Sequence, residues 1–238
     1  MLNTRLAQPK WFLPVAIALT VAVQTYLRWP EHDDGVWGDS PDEPYITIKG
    51  KKPTDATFRA WASFWVTGDE CERYSYDMFG RKAHRGGKID QEYTHNFSSN
   101  PEFYELRFPY QSVVDEDNCV IELRDITLYF KNDFSGFAPL NVHSFKDWLP
   151  EYERVSLDSK IEAKNCNADI FKNKVGEWLG VNRCEHYIDG TLRSREHWSM
   201  PQSMYFDFSK FNDDTVIHYD VYAGEKYRSE PLDRVLGP

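Results

Sequence analysis

Eleven consecutive residues, Thr57 to Thr67 (TFRAWASFWVT), place Phe58, Ala60, Ala62, Phe64 and Val66 at every second position. Side chains on a strand alternate between two sides, so this run predicts a long strand with one apolar face and commits the chain to a sheet that buries it. Tyr45 to Lys49 (YITIK) repeats the pattern. Leu106 to Val114 and Cys119 to Phe130 flank the polar run Asp115-Glu116-Asp117-Asn118, which predicts a long hairpin, and a change of phase near Arg124 and Asp125 predicts a bulge. Met204 to Phe208, Thr215 to Ala223 and a short piece near Lys226 to Arg228 add further strands.

Asp189-Gly190 suits a type I′ turn, whose two central residues both need positive φ. A two-residue loop then sets Tyr187 against Leu192, Glu185 against Ser194 and Val181 against Trp198 on the face expected in the core. His186 with Arg193, Cys184 with Arg195 and Asn182 with His197 are expected outside. One helix is predicted, Asn167 to Leu179, with Asn167 as N-cap, Ile170, Phe171, Val175, Trp178 and Leu179 as its apolar positions, and Gly180 as its stop. A weaker helical turn is predicted from Ser144 to Leu149, before Pro150. The expected fold is therefore all-β or β-rich α+β: a two-layer, mostly antiparallel, sandwich-like domain with one crossing helix.

Ahead of it, Trp11 to Leu27 (WFLPVAIALTVAVQTYL) is apolar and uncharged. As a helix it reaches roughly 25 Å, close to the thickness of a hydrocarbon core, with Trp11, Tyr26 and Trp29 at the interfaces. Large residues at the end of the run favour an uncleaved anchor over a removable signal peptide, and no cysteine there supports lipid modification. Arg5 and Lys10 hold the N-terminus in the cytoplasm. Residues 1–29 are thus expected to be a single-pass signal anchor, 30–44 (PEHDDGVWGDSPDEP) an acidic linker, and 45–238 an extracytoplasmic domain, periplasmic on a bacterial inner membrane.

Cys71, Cys119, Cys166 and Cys184 all lie in the exported part, an even number in an oxidising space. Two disulfides are expected, Cys71 with Cys119 and Cys166 with Cys184, because each pair brackets a coherent block. A zinc site is the weaker alternative, since no C-x-x-C or C-x-x-H pair occurs. Arg5, Lys10 and Arg28 are the only charged side chains among the first 29 residues, so a formal charge of −10 for the whole chain leaves −13 for the remainder. An acidic body disfavours nucleic acid and could steer a basic protein.

Catalytic motifs do not occur: no G-x-S-x-G, P-loop, G-x-G-x-x-G or H-E-x-x-H. Of the three histidines in the C-terminal strands, His186, His197 and His218, the first two are about 13 Å apart in register, too far to share a metal ion; Glu196 and His197 point to opposite faces, and Asp115 to Asp117 read as a solvated turn rather than a calcium site. Neither a metal nor a cofactor is expected. Two segments invite a partner. Residues 80–88 (GRKAHRGGK) gather Arg81, Lys82, His84, Arg85 and Lys88 into a mobile cationic loop that is either a solvated turn or a contact for a carboxylate-rich partner surface or a phosphate group. Phe134 to Trp148 holds Phe134, Phe137, Phe145 and Trp148 in a long aromatic loop that either packs on the sheet or recognises a ligand.

Together these features point to a membrane-tethered domain that binds another extracytoplasmic protein without catalysis. The narrower form is an immunity or inhibitor protein neutralising an envelope-targeting toxin; an assembly factor shares the same features. The competing class is an envelope hydrolase acting on glycan or lipid, or a carbohydrate-binding module. A deep cleft with a buried, upshifted carboxyl would favour the enzyme, and a flat or convex aromatic surface the binder.

Overall fold

The computed structural model describes residues 44–238 apart from 69–70, 72–73, 77, 86, 115–117, 146–153 and 196–201. The expected anchor lies outside these residues, and no helix among the described residues is long and apolar enough to cross a membrane. Seven strands fill the first part: β1 (Tyr45–Lys51), β2 (Thr57–Thr67), β3 (Tyr74–Tyr76), β4 (Lys82–Arg85), β5 (Gly87–Tyr93), β6 (Phe103–Pro109) and β7 (Val113–Val114). Seven follow: β8 (Val120–Lys131), β9 (Gly136–Ser144), β10 (Lys160–Lys172), β11 (Trp178–Ile188), β12 (Thr191–Arg195), β13 (Gln202–Phe206) and β14 (Val216–Ala223).

They form two large sheets, a sandwich-like arrangement. One runs β12-β11-β10-β14-β1-β6, the other β13-β9-β8-β2-β5 with β7 beside β8. Most pairs are antiparallel, but β14 lies parallel to both β1 and β10, and β13 parallel to β9. The inner faces meet through aromatic side chains: Tyr104 meets Phe130 edge-on at 5.1 Å, and Tyr93 lies 4.8 Å from Phe108. Buried hydroxyls are satisfied by backbone, Tyr104 donating to Tyr219 O (2.7 Å) and Tyr219 to Ala138 O (3.0 Å).

β2 buries the expected alternation, with Ala60, Ala62, Phe64 and Val66 inward. The bulge expected near Arg124 is present, since Ser63 opposes Asp125 while Phe64 opposes Leu123. Asp189 (φ 50°) and Gly190 (φ 76°) form the expected turn between β11 and β12. Both disulfides pair as expected, Cys71 with Cys119 and Cys166 with Cys184.

Several expectations are corrected. The crossing helix is absent: Asn167 to Lys172 is the end of β10, Trp178 begins β11, and the two pair in register from Asn167↔Arg183 to Lys172↔Trp178. Between them Asn173 makes a turn, its side-chain oxygen accepting from the Val175 and Glu177 amides. Gly180 is not a helix stop; Phe134 lies against it and leaves no room for a Cβ. Cys166–Cys184 therefore bridges neighbouring strands, opposite the bulge at Asn165 (φ 52°).

The faces of β11 are also reversed. Asn182, Cys184 and His186 are buried, while Val181, Glu185 and Tyr187 lie partly exposed on the outer side. The disulfide draws Cys184 inward, and a bulge at Arg193 sets His186 against Ser194 and Glu185 against Arg195. The long hairpin is mostly replaced as well. β6 pairs along its whole length with β1 in the other sheet, and only Val113 and Val114 of β7 reach β8. The strand expected over Met204 to Phe208 runs from Gln202 to Phe206, and Phe208–Lys210 is a 3-10 turn. Lys226 to Arg228 forms no strand. Ser144 ends β9, and 146–149 of the expected helical turn lie outside the described residues.

Candidate functional site

Beyond β2 the chain turns at Gly68 (φ 143°), whose carbonyl accepts from the Cys71 amide. Cys71 and Cys119, buried with Val66 and packed by Ile89 and Ile121, form a small apolar cluster apart from the main core. From this base rises a two-stranded ribbon that joins neither large sheet, with Tyr74 opposite Arg85, Ser75 opposite His84 and Tyr76 opposite Lys82. The mobile cationic loop expected over residues 80–88 is thus mostly strand: Lys82–Arg85 is β4, and Lys88 stands in β5 with its ammonium 2.8 Å from Asp90. Three tyrosine- and serine-rich residues were too short a run to announce the pairing strand.

At the turn of the ribbon are Met78 and Phe79, 89% and 75% exposed. Gly80 (φ 74°) closes the turn, and the Arg81 guanidinium lies 5.3 Å from the Phe79 ring centre. Burying such side chains would contribute roughly 1.5–3 kcal/mol each, a gain the isolated fold forgoes. A disulfide-based ribbon that carries apolar groups into solvent at its turn, in a sequence that continues with Arg81, Lys82 and Arg85, has the composition of a contact element. Exposed Val113 and Val114 of β7 lie nearby in the pairing, Val114 opposite Val120, next to Cys119.

The aromatic segment is taken apart by the fold. Phe137 is core on β9, where Ala138 (φ 50°) marks a bulge opposite β8. Phe134 precedes β9, packed on Gly180 with the Arg228 guanidinium 5.5 Å away, and Phe145 follows β9, 4.4 Å from the Arg154 guanidinium. Nine strand residues, about 30 Å, separate Phe134 from Phe145, so they make no common surface. Trp148, His197, Glu196 and Asp115 to Asp117 lie outside the described residues.

His186 is buried and stacked 6.4 Å from Tyr219, whereas His218 is exposed. Among the described residues no three His, Cys, Asp or Glu side chains are grouped to hold a metal ion. Met78 and Phe79 escaped the sequence reading, although two large apolar residues directly before a glycine, between basic and aromatic runs, are a readable sign of an exposed turn. No family model, curated protein or solved structure matches the chain.

Proposed function

We propose that this chain is a membrane-tethered, extracytoplasmic protein-binding domain whose contact element is the β3–β4 ribbon. The carrying observation is the exposure of Met78 and Phe79 on a ribbon based on Cys71–Cys119, in a sequence that continues with the basic residues Arg81, Lys82 and Arg85. The chemistry it fits is an apolar pocket rimmed by carboxylates on another protein. Two disulfides support an oxidising compartment, and the apolar leader with Arg5 and Lys10 supports a tether. In its narrower form the domain is an immunity or inhibitor protein, with the ribbon entering a toxin's cleft.

The test is crosslinking and capture from native envelopes with the full chain, followed by affinity measurement on the recovered partner. Replacing both Met78→Ser and Phe79→Ser should weaken binding by about 30-fold or more, as loss of a hot spot does, while the melting temperature stays put. Arg81→Glu with Lys82→Glu should slow association and reduce its salt dependence. Equal affinity in all variants would remove the ribbon from the function.

A further inference from the structure

On the outer face of the β13-β9-β8-β2-β5 sheet, an open groove of about 390 Å³ crosses β5, β2 and β8. Trp61 lies at its centre, opposite Glu92 on one side and Thr127 on the other. Tyr129 meets Trp61 edge to face, with ring centres 5.7 Å apart and planes at 77°. Two residues along β2, small Ser63 keeps the floor low, and two further on Trp65 is exposed, with the Arg124 guanidinium 4.4 Å from its ring centre. Trp61 and Trp65 thus share one face of a regular strand, about 13 Å apart.

The charges in the groove cancel locally. Arg59 Nε donates to Glu92 Oε1 at 2.8 Å, and Lys88 Nζ stands 2.8 Å from Asp90 Oδ1, which also accepts from Ser63 Oγ at 2.5 Å. The Arg59 hydrogen bond holds the Glu92 carboxyl below its usual range. Partial burial opposes ionisation of Asp90, but Lys88 and Ser63 outweigh it and lower its pKa too. Both carboxylates therefore stay ionised as acceptors, each beside its basic partner, with no net charge over the pair of pairs. An anionic ligand gains nothing from cations already neutralised. An extended peptide would pair along the outer edge of β5 at the rim of the groove, whereas Trp61 and Tyr129 stand on the face of β2 and β8, which are hydrogen bonded on both sides.

A sugar fits what is left. Its C–H faces lie on aromatic rings, and each hydroxyl both donates and accepts, which matches a floor of fixed ion pairs offering both. We propose that this groove binds a neutral oligosaccharide, with Trp61 and Tyr129 as platforms, the Arg59–Glu92 and Lys88–Asp90 pairs as hydroxyl partners, and Trp65 as a further platform along the chain of sugars. The site is separate from the β3–β4 ribbon, so neither assignment depends on the other.

The full chain, kept in a sugar-free detergent with its disulfides intact, is titrated with cellohexaose, chitohexaose, maltohexaose and xylohexaose, and with an oligogalacturonate as the anionic probe. Tryptophan fluorescence and calorimetry report binding. At least one neutral hexamer should bind saturably and the oligogalacturonate should not. Trp61→Ala should weaken binding by about tenfold or more, Trp61→Phe by less, and Phe79→Ala should leave it unchanged. Circular dichroism and the melting curve verify that each variant folds. Saturable binding of none of the neutral probes, binding equal in wild type and folded Trp61→Ala, or stronger binding of the oligogalacturonate overturns the proposal.

Discussion

Asn182 is fully buried, and its side chain acts as a clasp: its amide donates to Arg228 O at 2.8 Å, and its oxygen accepts from the Arg228 amide at 3.1 Å. Asn132 donates to the same carbonyl and to the Tyr227 hydroxyl, which in turn bonds Asp55. The segment after β14 is thereby strapped across both sheets without being a strand. Asn182→Ala leaves the Arg228 amide without that acceptor and should cost about 1–3 kcal/mol in chemical denaturation. Hydrogen exchange at the Arg228 amide should accelerate selectively; unchanged exchange there would show that the clasp holds nothing. The sequence placed Asn182 outside because polarity in a strand reads as exposure, and only the strap supplies the partners that let an amide be buried.

Among the elements, the two disulfides constrain different things. Cys71–Cys119 closes 48 residues and underlies the ribbon, whereas Cys166–Cys184 closes 18 and joins strands already paired. Chain entropy assigns them about 4 and 3 kcal/mol respectively. Replacing Cys71 and Cys119 by Ser should therefore lower stability by roughly 4 kcal/mol and, in addition, raise hydrogen exchange through Tyr74–Tyr76 and Lys82–Arg85. Replacing Cys166 and Cys184 should lower stability by roughly 3 kcal/mol and leave exchange in the ribbon as it was. Ribbon exchange that responds equally to both changes would contradict its anchoring by Cys71–Cys119. Here the cysteine spacing was enough to pair the bridges, but not to reveal that one of them joins adjacent strands in place of pinning a helix. Ile170, Phe171, Val175, Trp178 and Leu179 satisfy a helical period and also sit on a hairpin, where Val175 is at the exposed tip.

At the scale of the molecule, one sheet is closed by its last strand. β14 pairs with β1 on one side and β10 on the other, joining the β1-β6 pair to the β10-β11-β12 hairpins. Residues from near both ends of the described chain must meet before that sheet exists, and such distant pairings slow folding. A chain ending at Phe211 lacks β14 and should lose cooperative thermal unfolding and near-ultraviolet dichroism while keeping part of its strand signal. A sharp two-state melt from the truncated chain would contradict this role for β14.

What the sequence by itself determined was local: the buried face of β2, the turn at Asp189-Gly190, the bulge near Arg124, and the pairing of four cysteines. The first three depend on residues next to one another, through alternation or backbone preference, and the cysteines were paired by the blocks they bracket along the chain. The tertiary structure alone decided that β6 joins β1, that β14 enters mid-sheet, that β11 turns Asn182 and His186 inward, and that Phe137 is core while Met78 and Phe79 are not. Backbone ladders use the same amide and carbonyl groups in every strand, so a strand's own side chains specify its buried face only where one face is plainly apolar, as on β2, and leave its neighbour, and the faces of a mixed strand such as β11, to be settled by the packing of the whole.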